Sequence, residues 1–207
     1  GMISEDDTNP MGMNIADTFG FAVSFDEPAE IDPNGIAIIG FGSGALGDLQ
    51  MSLDGSNWIS VDTQSISESN ALLLGGDTYI RYVSDQVYGE DISFTALGWS
   101  EVSGVSGEMY NVSADIATNE GDTAFSALEN TLTAYLHVTA MNDAPEFTLS
   151  QSSFDVDEDS SVFIRGISVG DIDADSGDLQ LSLNVGMGIL SIDFAAIDSA
   201  SLASLSF

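Results

Sequence analysis

Oxygen-bearing side chains are grouped at several places along this sequence. Asn142 and Asp143 lie in the middle of a short linker that ends at Pro145, and the acidic clusters Asp157–Asp159 and Asp171–Asp175 follow it. A carboxylate and a side-chain carbonyl are ligands that Ca²⁺ accepts readily, since it binds roughly six to eight oxygens. The linker residues therefore suggest a calcium site where one folded unit is followed by the next.

The chain is extremely acidic, with 34 Asp and Glu residues against 2 Lys and Arg residues and a formal net charge of −32. Such a charge should repel nucleic-acid backbones and anionic membranes, so neither is an expected partner. It should also destabilise the compact state unless cations or high ambient salt offset the repulsion. Two interpretations stay open: a surface adapted to a salty exterior, and carboxylates that bind calcium. Arg81, one of the two cations, is expected to pair with a carboxylate.

Other chemistry is disfavoured by the context of its residues. Gly42–Gly47 fits the glycine pattern of a dinucleotide loop, but the alternating residues after it predict a strand where that motif needs a helix. Asp175–Gly177 matches the Asp-Ser-Gly of aspartic proteases but lacks the apolar strand that precedes it there. His137 is the only histidine and cysteine is absent, so a transition-metal site is not expected. No enzymatic activity is predicted, although residue types alone do not exclude a glycosidase pair of carboxylates.

Alternation of apolar and polar residues predicts strands along most of the chain. Leu132–Ala140 alternates with period two, and Pro145 then prevents the strand from continuing because proline has no N–H for a ladder. Together with frequent turn signals, this pattern predicts an all-β fold of tandem antiparallel β-sandwiches with almost no helix. The core of the first unit is predicted to contain Phe19, Phe21, Val23, Ile36, Ile38, Leu73, Ile80, Phe94, Leu136 and Val138.

The linker divides the chain into a first unit, residues 1–143, and a second unit, residues 144–207. The second unit is short and lacks a closing linker of its own, so it is expected to be shortened or truncated. No apolar run approaches the roughly 18 residues of a membrane helix, so membrane insertion is not expected. The inward faces of the second unit are predicted at alternating apolar positions: Val162, Ile164, Leu179, Leu181, Leu183 and Val185.

Several segments resemble the cadherin-like tandem repeats of large bacterial surface and RTX-type adhesins. They are the linker region Val138–Pro145, the hairpin Met51–Val61, and the segments Ala71–Leu74 and Asp77–Val83. The resemblance implies cadherin- or immunoglobulin-like repeats that bind Ca²⁺, lie outside the cell or on its surface, extend a stalk and support cell adhesion. It also implies that neighbouring repeats of the same chain are partners, together with a cell-surface or carbohydrate ligand.

The same resemblance implies a set of calcium ligands. In such repeats an Asp-x-Asp loop of the following domain and glutamates at the base of the preceding domain join the linker residues, and the metal stiffens the junction. One glutamate, Glu158, would serve a further junction. The implied ligands in this sequence are Glu5, Glu90, Asn142, Asp143, Glu158, Asp171 and Asp173.

Two other classes of function stay open. A module that binds carbohydrate or protein would use exposed aromatic side chains, for which Trp58, Trp99 and Tyr88 are the candidates. An exposed coplanar set of aromatic rings would favour this class, and buried tryptophans would argue against it. A hydrolase fragment, the more remote alternative, would need two carboxylates that converge in a polar pocket.

Overall fold

A computed structural model gives the fold of the chain in two compact units, Gly1–Met141 and Asn142–Phe207. The sequence-based division, after residue 143, lies two residues later. Most of the regular structure in the described residues is β-sheet, and their α-helices are two short ones, α1 (Ile15–Phe19) and α2 (Ser113–Ile116). The predicted all-β class is therefore confirmed. None of the described helices is long and apolar enough to cross a membrane. The structure describes residues 2–19, 34–116, 124–174 and 177–193.

The strands follow the segments in which the sequence alternates or is continuously apolar. Two single-turn 3₁₀ helices, Thr63–Ser65 and Leu128–Asn130, lie between strands. In chain order the strands of the described residues are β1 (Met2–Ser4), β2 (Met13–Asn14), β3 (Gly35–Phe41), β4 (Asp48–Ser52), β5 (Ile59–Ser60), β6 (Ala71–Gly75), β7 (Tyr79–Val83), β8 (Glu90–Trp99), β9 (Met109–Tyr110), β10 (Leu132–Thr139), β11 (Glu146–Leu149) and β12 (Ile167–Gly170).

The strands of the first unit form two sheets. One has six strands in the order β1-β10-β8-β3-β6-β9, and the other has four in the order β2-β7-β4-β5. Neighbouring strands are antiparallel except at one edge, where β1 runs parallel to β10 with Met2 opposite His137 and Ser4 opposite Thr139. The purely antiparallel arrangement predicted from the sequence is wrong at this edge. Strands β1 and β10 come from opposite ends of the first unit's sequence. The chain between them is therefore long enough for the crossover that a parallel pairing requires.

The main hydrophobic core of the first unit contains side chains from both sheets. The period of two along each strand places alternate residues on the same face, so one face of each sheet supplies this core. Burial of each large apolar side chain contributes roughly 1.5–3 kcal/mol. The six-stranded sheet contributes Ile36, Ile38, Leu72, Leu74, Ile92, Ala96 and Val138, and the four-stranded sheet contributes Leu49, Met51, Ile80 and Tyr82.

A second hydrophobic cluster lies on the other face of the six-stranded sheet. In β6 the residues Leu72 and Leu74 belong to the main core, whereas Ala71 and Leu73 belong to the second cluster. The continuous apolar run of β6 is typical of a strand covered on both faces. The second cluster consists of Ala37, Ala71, Leu73, Leu97, Trp99, Val112, Ala124 and Phe125.

The predicted core of the first unit is largely confirmed, with one change of face. Leu73 is buried, but in the second cluster rather than with Ile36, because neighbouring residues of a strand point to opposite faces. Phe94 and Leu136 are only partly buried against the main core. Phe21 and Val23 lie outside the described residues. Those found buried are Phe19, Ile36, Ile38, Leu73, Ile80 and Val138.

The second unit is less complete than the first. Its regular structure in the described residues is one antiparallel pair, β11 and β12, with Glu146 opposite Gly170 and Leu149 opposite Ile167. Such a pair is marginal by itself and offers no second sheet to cover it. The prediction of inward-facing residues is wrong in this unit because alternation does not bury a face without a packing partner. The exposed fraction is 41–45% for Val162, Ile164, Leu179, Leu181, Leu183 and Val185.

Candidate metal-binding carboxylates

Glu5 is the one buried carboxylate among the described residues of the first unit, and it is 1% exposed. It follows β1, and its amide donates to the carbonyl of Thr139 at 3.1 Å while its carbonyl accepts from the Ser84 hydroxyl. Its Oε1 accepts from the amide of Met141 at 2.5 Å. Its Oε2 is buried and has no hydrogen-bond partner among the described residues. An unpaired buried carboxylate oxygen is costly, so this atom fits a metal cation.

The linker and the Asp-x-Asp loop are brought together within the second unit. The amide of Asp143 donates to Oδ2 of Asp173 at 3.1 Å, and the amide of Asp173 donates to Oδ1 of Asp171 at 3.3 Å. A hydrogen bond with Asp173 raises the pKa of Asp171, and the same contact, followed by the Asp143 amide, lowers the pKa of Asp173. The two pKa values move in opposite directions, as expected of carboxylates that interact directly, and a cation placed between them would relieve their repulsion.

Asn142 stands beside this pair in the sequence and is exposed. Its side-chain nitrogen donates to the carbonyl of Asp143 at 2.7 Å. This contact fixes the amide group within the linker and leaves its oxygen with no hydrogen bond in the described part of the chain. Asn142 thus keeps a side-chain carbonyl of the kind that calcium accepts.

Glu90 is already used by protein hydrogen bonds. Its Oε1 accepts from the hydroxyl of Tyr82 at 2.6 Å, and its Oε2 accepts from the amide of Leu46 at 2.9 Å. The Tyr82 hydroxyl in turn accepts from the amide of Gly47 at 2.6 Å. Burial and the contact with Glu90 raise the pKa of Tyr82, which keeps the hydroxyl a donor. Glu90 therefore anchors the Gly42–Gly47 loop, which enters β4 directly, without the helix that a dinucleotide site needs.

Glu158 is exposed and does not join the other predicted ligands. It lies in a turn closed by a hydrogen bond of 3.1 Å from the Ser160 amide to the Asp157 carbonyl. Its neighbour Asp159 has a positive φ of 62°, a backbone conformation that aspartate tolerates better than most residues. The turn therefore presents Glu158 to solvent, in a part of the second unit that has no regular structure.

No group of three Asp, Glu or His side chains that could hold a metal ion is found among residues 2–19, 34–116, 124–174 and 177–193. Calcium takes roughly six to eight oxygens, so neither Glu5 nor the Asp171 and Asp173 pair is a complete ligand set. Backbone carbonyls, amide oxygens and water are suitable for the remaining positions. Each unit thus contributes a partial set of oxygen ligands.

Asp85 is a further carboxylate near Glu5, and the sequence patterns do not single it out. This half-buried residue follows Ser84, whose hydroxyl contacts the backbone of Glu5. Oδ1 of Asp85 accepts from the amides of Val87 and Tyr88 at 3.0 and 3.2 Å, which fixes the carboxylate in the turn after β7. The sequence signal for Asp85 is a polar turn at the end of a strand. Only the fold shows that this turn lies beside Glu5.

The aromatic residues do not form a shared exposed platform. Trp99 is 1% exposed and its indole nitrogen donates to the carbonyl of Ser103 at 2.7 Å. Trp58 is half-buried, with the guanidinium carbon of Arg81 4.1 Å from its ring centroid. Tyr88 is the exposed member of the three, at 43%. The two tryptophans, at least, have structural contacts that argue against a carbohydrate platform.

Arg81 and His137 each contact polar side chains of the first unit. Arg81 donates to side-chain oxygens of Gln50 at 2.8 Å and Asn9 at 2.7 Å, so within the described residues its expected pairing with a carboxylate is wrong. His137 is exposed, as expected of its strand face, and its Nδ1 lies 2.7 Å from Oδ1 of Asp91. Both residues link neighbouring strands or segments of the first unit.

An open cavity of about 440 Å³ lies beside α2. Glu68 is the one carboxylate among its lining residues, which are otherwise isoleucines and serines. A glycosidase or aspartic-protease site requires two converging carboxylates, and the lining of this cavity supplies one.

Comparisons with protein-family models, with curated proteins and with solved structures found no match for this chain. Three features of the chain bear on its function: a carboxylate that is buried with one oxygen unpaired in the described residues, a pair of aspartates whose pKa values shift in opposite directions, and a very high negative charge.

Proposed function

We propose that this chain is a calcium-stabilised structural repeat module of a large bacterial cell-surface or exported adhesin, which extends a stalk outside the cell. Its first unit is proposed to be a cadherin-like β-sandwich and its second unit a shortened repeat of the same kind. The main core, which takes side chains from both sheets of the first unit, supports the sandwich. The parallel edge strand β1 beside β10 is consistent with it.

The observation that carries the proposal is the environment of Glu5. Glu5 is a charged residue at a position that is 1% exposed, and within the described residues only one of its two carboxylate oxygens accepts a hydrogen bond. An unsatisfied buried polar group costs about 1–3 kcal/mol, and more when it is charged. A bound cation would replace this cost with coordination, which explains why a carboxylate occupies the site.

The charge of the chain supports a role for cations more generally. A formal net charge of −32 opposes compaction, and divalent ions reduce the repulsion at the positions where carboxylates meet. Asp171 and Asp173 are such a position, because the contact between their side chains raises the pKa of Asp171 and lowers that of Asp173. Calcium rather than a transition metal is proposed because the available ligands are oxygens.

The test is thermal unfolding in millimolar calcium and in chelator, at matched ionic strength. A ligand that binds only the folded state stabilises it by about 2.7 kcal/mol at 100 times its Kd, so calcium should raise the Tm measurably. Asp171→Asn combined with Asp173→Asn should reduce the calcium response, whereas Glu129→Gln, at an exposed residue, should leave it unchanged. An identical Tm in calcium and in chelator would overturn the proposal and leave the charge as a salt-adapted surface.

A further inference from the structure

Residues 5–12, the crossing segment, connect the two sheets of the first unit. The segment leaves β1 in the six-stranded sheet and enters β2 in the four-stranded sheet. Its first turn is closed by hydrogen bonds from the Asp7 amide to the Ser4 carbonyl at 3.2 Å and from the Asn9 amide to Oδ1 of Asp7 at 3.0 Å. The contacts at the two ends of this segment therefore determine whether β1 stays paired in the six-stranded sheet and β2 stays paired in the four-stranded sheet.

The end next to β1 depends on Glu5. Strand β1 has only three residues, and its pairing continues through the hydrogen bond from the Glu5 amide to the Thr139 carbonyl. The Glu5 carboxylate holds the amide of Met141, but its second oxygen is buried without a partner in the described chain. Desolvation of this carboxylate opposes the closed arrangement unless a cation neutralises it.

The other end is held by Arg81. Its Nη1 donates to Oδ1 of Asn9 at 2.7 Å and to the carbonyl of Pro10 at 3.4 Å, while its Nε donates to Oε1 of Gln50 in β4 at 2.8 Å. All three acceptors are uncharged oxygens. The guanidinium is charged at every physiological pH, so this attachment needs no metal ion.

Trp58 reinforces the same end. The guanidinium of Arg81 lies over its ring, a contact that gains both dispersion and cation–π attraction. Gly12 packs against the other part of the ring so closely that a Cβ there would lie 2.1 Å from a ring carbon. Beyond it, the amide of Ile15 donates to the carbonyl of Thr78 at 2.9 Å. This end of the crossing segment is thus attached by several independent contacts.

We propose that the crossing segment has one end that depends on calcium and one that does not. Removing the cation releases β1 from β10 at the Glu5 end, while Arg81 and Trp58 keep residues 9–14 on the four-stranded sheet. Loss of calcium then frees one edge of the six-stranded sheet without unfolding the unit. This inference rests on the proposed calcium binding and adds where the fold responds to it.

The test is hydrogen exchange on the full chain, in chelator and in excess calcium chloride. Amides of residues 2–5 and Met141 should exchange at least about tenfold faster in chelator than in calcium, because the buried charge favours local opening. Amides of residues 13–16 should exchange at the same rate in both. In Arg81→Met, which removes the donors but keeps an unbranched side chain over Trp58, residues 13–16 should become calcium-dependent as well.

Arg165→Met is the matched control, because it removes the chain's other arginine, which lies over Phe163 in the second unit. Asn9→Ala removes only one acceptor of Arg81. It should therefore make hydrogen exchange at residues 13–16 depend on calcium to a smaller extent than Arg81→Met does. Equal calcium responses of both amide sets in the wild type, or an unchanged pattern in Arg81→Met, would overturn the inference. If neither Tm nor any amide responds to calcium, the proposed function fails instead. The Arg81 attachment is then judged in chelator alone, where Arg81→Met must speed exchange at residues 13–16.

Discussion

Replacing Glu5 by glutamine should have opposite effects on stability with and without calcium. Glutamine has nearly the same shape and keeps the oxygen that accepts from the Met141 amide at 2.5 Å. It removes the charge from an oxygen that is buried and unpaired in the described residues. In chelator the Glu5→Gln variant should therefore be more stable than the wild type, which is unusual for a change at a buried polar residue.

The expected size follows from the environment of the carboxylate. An unpaired buried polar group costs about 1–3 kcal/mol, and a charged group costs more than a neutral amide, so the gain in chelator should be about 1 kcal/mol or more. Calcium at 100 times its Kd should stabilise the wild type by about 2.7 kcal/mol, and the variant by less because a charged ligand is lost. For a unit of this size, each kcal/mol shifts the Tm by about 2–4 °C.

The assay is the Tm of wild type and variants in chelator and across a calcium titration. Glu129→Gln, in an exposed turn, is the control for loss of one surface charge. Glu90→Gln is the control for a carboxylate that already has partners, since Tyr82 and Leu46 donate to it; it should destabilise equally under both conditions. If Glu5→Gln destabilises the protein in chelator as much as in calcium, Glu5 is only a hydrogen-bonding residue and the reasoning from its unpaired oxygen is refuted.

Two further predictions concern the aspartate pair and the core. The contact with Asp173 raises the pKa of Asp171, so in the folded protein Asp171 stays protonated to a higher pH than an ordinary aspartate. Proton binding at Asp171 therefore stabilises the calcium-free fold at low pH. This stabilisation is lost as the pH rises through the raised pKa. Calcium competes with protons for this carboxylate, so its affinity in isothermal titration should fall as pH is lowered into this range, and an affinity independent of pH would contradict the raised pKa of Asp171. In the core, Leu74→Ala should cost about 2–5 kcal/mol in urea unfolding, and Leu136→Ala less because Leu136 is only partly buried; equal costs would mean that β10 is better covered than its exposure indicates.

The all-β class could be read from the sequence because its signals are local. Alternation along Leu132–Ala140 and the apolar run of β6 reflect how successive side chains of a strand point to opposite faces, whatever the rest of the chain does. The sequence also indicated which residues could bind a metal, because the oxygen atoms of a side chain are a property of that residue type alone. The same local signals failed in the second unit, where Leu179–Val185 alternates but stays exposed, and the described part of that unit holds no second sheet to cover it.

The tertiary structure alone decided which carboxylates are candidates for a metal. Glu5 and Glu90 look alike in the sequence, but folding gives Glu90 a partner for each oxygen and buries Glu5 with one oxygen unpaired among the residues that the structure describes. The difference arises from contacts with residues far along the chain: Leu46 reaches Glu90, and Met141 reaches Glu5. Burial and hydrogen bonding depend on which distant segments of the chain come into contact. A linear sequence shows the chemistry of each residue and the local periodicity, but it does not show these long-range contacts.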